Sequence, residues 1–106
     1  MDEFVTALQQ NIDIVNGIGQ KIERGETYID EIKAYLPSLG QMVTEIFGML
    51  QRPEMALELN PEFINQVLND IIYGIENEDS VFLLDVLRYG LMEIYHYMAA
   101  ELQIGG

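Results

Sequence analysis

From Ile29 to Leu50 the apolar residues Ile29, Ile32, Leu36, Leu39, Val43, Ile46 and Leu50 recur at alternating spacings of three and four. This is a heptad seam, the pattern that lays one face of an α-helix against a neighbour. A strand cannot use it, because strand side chains change face at every residue. The seam keeps its phase across Pro37. One helix is therefore predicted over 28–51, kinked near Tyr35 or Leu36 because proline removes a backbone donor.

The same period organises the rest of the chain. Phe4, Val5, Leu8, Ile12, Val15, Ile18 and Ile22 define a helix face over about 3–23. Gly17 and Gly19 weaken that helix by roughly 1 kcal/mol each relative to alanine, so a close approach by a neighbour is expected there. Arg24-Gly25-Glu26 reads as a turn, and Thr27 with Asp30 as an N-terminal capping box. Arg52-Pro53 stops the second helix. Asn60-Pro61 starts the third, with Asn60 as cap and Pro61 at the position where its missing amide is harmless. Phe63, Ile64, Val67, Leu68, Ile71, Ile72 and Ile75 mark its apolar side over 61–76. A single domain of 106 residues follows, an all-α antiparallel four-helix bundle of up-down-up-down order.

The last helix, over about 79–103, carries more apolar surface than one face needs. Leu84, Leu87, Leu91, Ile94 or Tyr95, Met98 and Leu102 form its inner stripe. Val81, Phe82, Leu83, Val86, Met92 and Tyr97 lie beside or outside it. Such a helix is either central to its bundle or part of an interface. Gly105-Gly106 reads as a flexible tail. A modifier-type Gly-Gly terminus would require a β-rich fold upstream, which the periodicity does not provide.

Charge removes several function classes. With 18 Asp and Glu against 5 Lys and Arg, the net charge is -13. Nucleic-acid phosphates and anionic lipid surfaces need clustered cations that Lys21, Arg24, Lys33, Arg52 and Arg88 do not supply. The absence of cysteine excludes disulfides, thiol nucleophiles and thiolate metal sites. Met1-Asp2-Glu3-Phe4 lacks the basic start of a secretory signal, and no run of apolar residues approaches a membrane span, so a cytoplasmic location is expected.

Chemistry-bearing motifs are sparse. Glu93 and His96 form a Glu-x-x-His pair of the kind that di-iron bundles use twice. The chain has one histidine, so a second pair could come only from a symmetric dimer, and the helical wheel turns His96 away from the inner stripe. Ser38 or Ser80 with His96 has no strained elbow or oxyanion loop beside it, and no phosphate-binding loop is present. The acidic pairs Asp30-Glu31 and Glu78-Asp79 lie at helix starts, where carboxylates stabilise the helix dipole. No cofactor is expected.

Ile75-Glu76-Asn77-Glu78-Asp79, followed by Leu84-Asp85-Val86 and Tyr89, resembles the corresponding stretch of bacterial flagellin-export chaperones. The resemblance covers about fifteen residues and implies a small antiparallel helical bundle that holds a terminal helix of an unfolded partner. The N-terminal part lacks the tyrosine-rich segment of that family, and no binding residue carries over.

The sequence thus predicts a non-enzymatic bundle acting by protein contact, as adapter, small chaperone or oligomer subunit. Its partner would be another protein or a second copy, with Phe82, Leu83, Val86, Met92 and Tyr97 as contact residues. The alternatives are a metal-binding bundle using Glu93 and His96 across a dimer, and a structural domain without a specific ligand.

Overall fold

The computed structural model describes residues 2–104, and among them every regular element is helical. Helix α1 spans Asp2–Glu23, α2 spans Ile29–Leu50 and α3 spans Pro61–Glu76. Helix α4 covers residues 80–104, as α-helical Ser80–Val86 and Met92–Ile104 joined by a π turn at Leu87–Leu91. A short 3-10 turn, Pro53–Met55, lies between α2 and α3. The chain is an all-α helical bundle, as the apolar periodicity requires. The expectation for Gly105-Gly106 lies outside the described residues.

Local chemistry sets the helix ends. Asn60 accepts a hydrogen bond from the Glu62 amide at 2.9 Å, with Pro61 in the first turn of α3. Asp79 does the same for α4, accepting from the Phe82 amide at 3.1 Å. Thr27 does not cap α2: that helix begins at Ile29, after Tyr28, with no side-chain capping bond, and Thr27 is exposed. The carboxylates of Asp30 and Glu31 in its first turn supply the dipole interaction instead. Gly25 takes the left-handed conformation, φ +72°, that the α1–α2 turn requires. Helix α2 runs unbroken through Pro37. Lys33 and Pro37 are both exposed, so the Lys33 carbonyl left without an intrahelical donor can bond water.

The helices close a ring in which α1 packs on α2 and α4, and α3 packs on the same two helices. Lys21 meets Glu31 at 2.7 Å while Asn11 meets Tyr35, so α1 and α2 form a hairpin. Most of the expected stripes are interior: Phe4, Leu8, Ile12, Val15 and Ile18 on α1, and Ile32, Leu39, Val43 and Ile46 on α2, are buried. The α2 interior also takes Tyr35 and Met42, which lie beside the heptad seam.

Tyr35 belongs to a hydrogen-bond chain through the core. Its hydroxyl donates to Asn11 Oδ1 at 2.6 Å and lies 2.7 Å from the Tyr95 hydroxyl. Asn11 Nδ2 donates to the Ala7 carbonyl at 2.7 Å. Because the Tyr35 proton goes to Asn11, the Tyr95 hydroxyl is the donor of the Tyr–Tyr bond. The chain therefore runs in one direction, from α4 through α2 to the α1 backbone. Among the described residues no buried side-chain nitrogen or oxygen lacks a partner. Burial pushes the Tyr35 hydroxyl up to about 12, and burial together with Tyr35 pushes Tyr95 upward as well.

The two hydroxyls are not equivalent. Tyr35→Phe strands both the Asn11 carbonyl oxygen and the Tyr95 hydroxyl in the interior, whereas Tyr95→Phe leaves the Tyr35–Asn11 bond intact. Urea unfolding should show Tyr35→Phe costing about 2–3 kcal/mol and Tyr95→Phe about 1 kcal/mol; equal losses would contradict the donor order. Both tyrosines are held neutral in the fold, so above pH ~10 the unfolded chain sheds protons that the native state keeps. Stability should be level below that pH and fall as pH rises toward the folded value of about 12 for Tyr35. The measurement is the urea midpoint from pH 8 to 11.5.

Candidate functional site

Helix α4 packs on both α1 and α3, and its π turn helps it serve the two neighbours. At that turn the Met92 amide reaches back to the Leu87 carbonyl, five residues away, which inserts one residue and rotates the register by about 100°. Leu91 and Met92, and then Ile94 and Tyr95, are consecutive buried residues. Much of the apolar surplus of this helix is thereby enclosed between α1 and α3.

Two glycines let α3 and α4 approach closely. A Cβ added at Gly74 of α3 would sit 3.2 Å from Leu83 Cβ, and one at Gly90 of α4 would sit 3.0 Å from Val67 Cγ2. These opposed contacts, Gly74 to Leu83 and Val67 to Gly90, step in opposite senses along the two helices. Gly19 of α1 has a looser neighbour, Leu84 Cδ1 at 3.6 Å, and Gly17 has none within 4 Å. The close approach expected at both α1 glycines therefore occurs at Gly19 alone.

On its outer side the α3–α4 seam opens into two adjoining hollows of about 220 and 560 Å³. The first is walled by Phe63 and Gln66 of α3 and by Val86 and Tyr89 of α4, with Val67 and Gly90 at the seam. The second lies between Tyr73 of α3 and Phe82 of α4, whose rings meet edge to face at 5.5 Å. Asp70 borders both hollows, Asp85 the first and Asp79 the second. Tyr89 is 70% exposed, Tyr73 57% and Phe63 40%. These apolar side chains, left in water on facing helices, form one contiguous lined groove.

The five expected contact residues separate into three groups. Leu83 and Met92 are core residues, 0% and 6% exposed. Leu83 is turned onto Gly74, and Met92 is rotated inward by the π turn, which a regular helical wheel does not contain. Tyr97 is half-buried, and its hydroxyl accepts the Glu58 amide at 2.6 Å, so the α2–α3 connection already occupies it. Phe82 and Val86 are half-buried and line the outer groove. The groove residues Phe63, Tyr73 and Tyr89 were not among the expected contacts. A partial signal existed in α3, where Phe63-Ile64 and Ile71-Ile72 are apolar doublets of which only one member can face a single neighbour; it does not say which member is outside, and it does not extend to Tyr73 or Tyr89. Ile64 and Ile71 are buried, while Phe63 and Ile72 are exposed.

Glu93 and His96 are both exposed. Among the described residues no group of three or more His, Asp or Glu side chains is placed to hold a metal ion. A polar cleft between α1 and α2 is bordered by Glu3, Gln10, Ser38, Gln41 and Glu45. The buried amide beneath it, Asn11, is already committed to Tyr35 and Ala7.

Comparison with family models, with curated proteins and with solved structures gives no match.

The glycine seam is open to a stability test. Gly90→Ala forces Val67 aside, and after the gain in helix propensity is counted it should lose roughly 1 kcal/mol. Gly17→Ala, whose methyl meets nothing, should gain about 0.5–1 kcal/mol. Thermal unfolding of the two variants should therefore move in opposite directions; a gain at Gly90 would contradict the close approach.

Proposed function

We propose that the protein is non-enzymatic and acts by contact with another polypeptide, as adapter, small chaperone or oligomer subunit, through the outer groove of α3 and α4. The observation that carries this reading is the set of apolar groups left in water on two facing helices: Phe63, Tyr73 and Tyr89, with Phe82 and Val86 half-buried between them. Scattered single apolar residues on a surface are ordinary, whereas a contiguous lined groove is a binding feature. The support is chemical as well as geometric. The groove offers aromatic and aliphatic walls bordered by carboxylates, the surface that an amphipathic polypeptide complements.

Among the described residues no helix is long and apolar enough to cross a membrane.

The test uses a substitution that leaves the core untouched. Tyr89→Ser removes an apolar ring that is largely in solvent and adds no charge. It should keep the helical far-UV CD spectrum, and its unfolding free energy in urea should stay within about 0.5 kcal/mol of the wild type. Sedimentation over a range of concentrations and cross-linked capture from the native cell should then show any complex of the wild type weakened at least tenfold. Identical behaviour of wild type and variant in both assays would sink the reading. Leu83→Glu is unsuitable, because it buries a carboxylate against Gly74 and would report on folding.

A further inference from the structure

We infer that the α3–α4 groove receives a basic amphipathic helix of a different protein, and not a second copy of this chain; the inference rests on the contact reading above and names the partner's chemistry. Between Arg52 and Arg88 the sequence holds eight carboxylates, Glu54, Glu58, Glu62, Glu76 and Glu78 with Asp70, Asp79 and Asp85, and no Lys, Arg or His. Both walls of the groove are drawn almost wholly from this segment. Asp70, Asp79 and Asp85 border the hollows, and no cationic residue does. Arg88, the next cation along α4, is engaged by Glu23 of α1. The groove is thus an apolar trough whose margin carries carboxylates and no cation; Asp79 is committed to capping α4, which leaves Asp70 and Asp85 as the carboxylates most available to a partner.

Its shape selects a helix. Phe63, Gln66, Asp70 and Tyr73 follow one another at helical spacing along α3, over a rise of about 15 Å, and Phe82, Val86 and Tyr89 follow at the same spacing along α4, over about 10 Å. Three turns of a partner helix match that length, with an apolar stripe between the walls and Lys or Arg beside it reaching the carboxylates. A second copy is disfavoured by charge, since each chain carries -13 and would set one acidic margin against another. Nucleic acid and anionic lipid are repelled by the same field.

The experiment titrates the full chain with three synthetic helices that share one Leu and Phe stripe and differ in flanking residues, lysine, glutamine or glutamate. Affinity is read by isothermal titration, the site by amide chemical shifts and self-association by sedimentation. The lysine helix should bind at least tenfold more tightly than the glutamine helix, weaken with added salt, and shift the amides of Phe63, Val86 and Tyr89. Asp70→Asn with Asp85→Asn should lower its affinity about tenfold, while Asp13→Asn on α1 should not. Binding of the glutamine or glutamate helix in the groove as tightly as the lysine helix would overturn the basic partner and leave the contact reading standing. Dimerisation abolished by Tyr89→Ser, with no helix bound, would overturn it in favour of a second copy. No helix bound and a monomer at every concentration would overturn both.

Discussion

Three of the four helices meet at one directed chain of hydrogen bonds, from the Tyr95 hydroxyl to Tyr35, to Asn11 and to the Ala7 carbonyl. Apolar packing alone tolerates small slides of one helix along another, because one methyl group substitutes for another at modest loss. Buried hydroxyls do not tolerate such slides. Moving α2 by a turn would leave a phenol and an amide without partners in the interior, at about 1–3 kcal/mol for each. The relative positions of α1, α2 and α4 are therefore set by polar groups, although the stabilisation of the bundle comes from the leucines and isoleucines around them. With α4 placed in this way, its opposite side is available to α3.

That second contact is made at glycine. Gly74 and Gly90 bring the α3 and α4 backbones close together, and the larger side chains on either side of the seam stand out as walls. The π turn at Leu87–Leu91 allows one helix to satisfy both demands, since the residue it inserts turns Met92 inward after Leu91. Close approach and altered register together produce a groove whose lining is apolar and whose rim is acidic.

Much of the fold was legible in the sequence, because helix period and capping chemistry are local. The seam from Ile29 to Leu50, Asn60-Pro61 and the acids before Ser80 locate three helices within a residue or two. Thr27 failed as a cap because capping depends on where the backbone enters the helix, and α2 starts two residues later. The site was less legible. Leu83 and Met92 looked external on a regular wheel, and only the π turn and the partner glycine put them inside. Neither the bond between Tyr97 and Glu58, 39 residues apart, nor the Tyr35–Tyr95 contact, 60 residues apart, has a periodic signature. Phe63 and Tyr89 were hidden for the converse reason: an apolar residue in a helical pattern reads as interior until its neighbours are placed.

The link from the Glu58 amide to Tyr97 has a further consequence. It holds the segment between α2 and α3 over the C-terminal half of α4, where Leu57 and Leu59 pack against the core. The last helix is thereby roofed at one end by its own chain, while the groove opens at its other end, beside α3. In the proposed contact a guest would lie along α3 and the first turns of α4, and would not reach the turns around Tyr97 that the α2–α3 connection already holds.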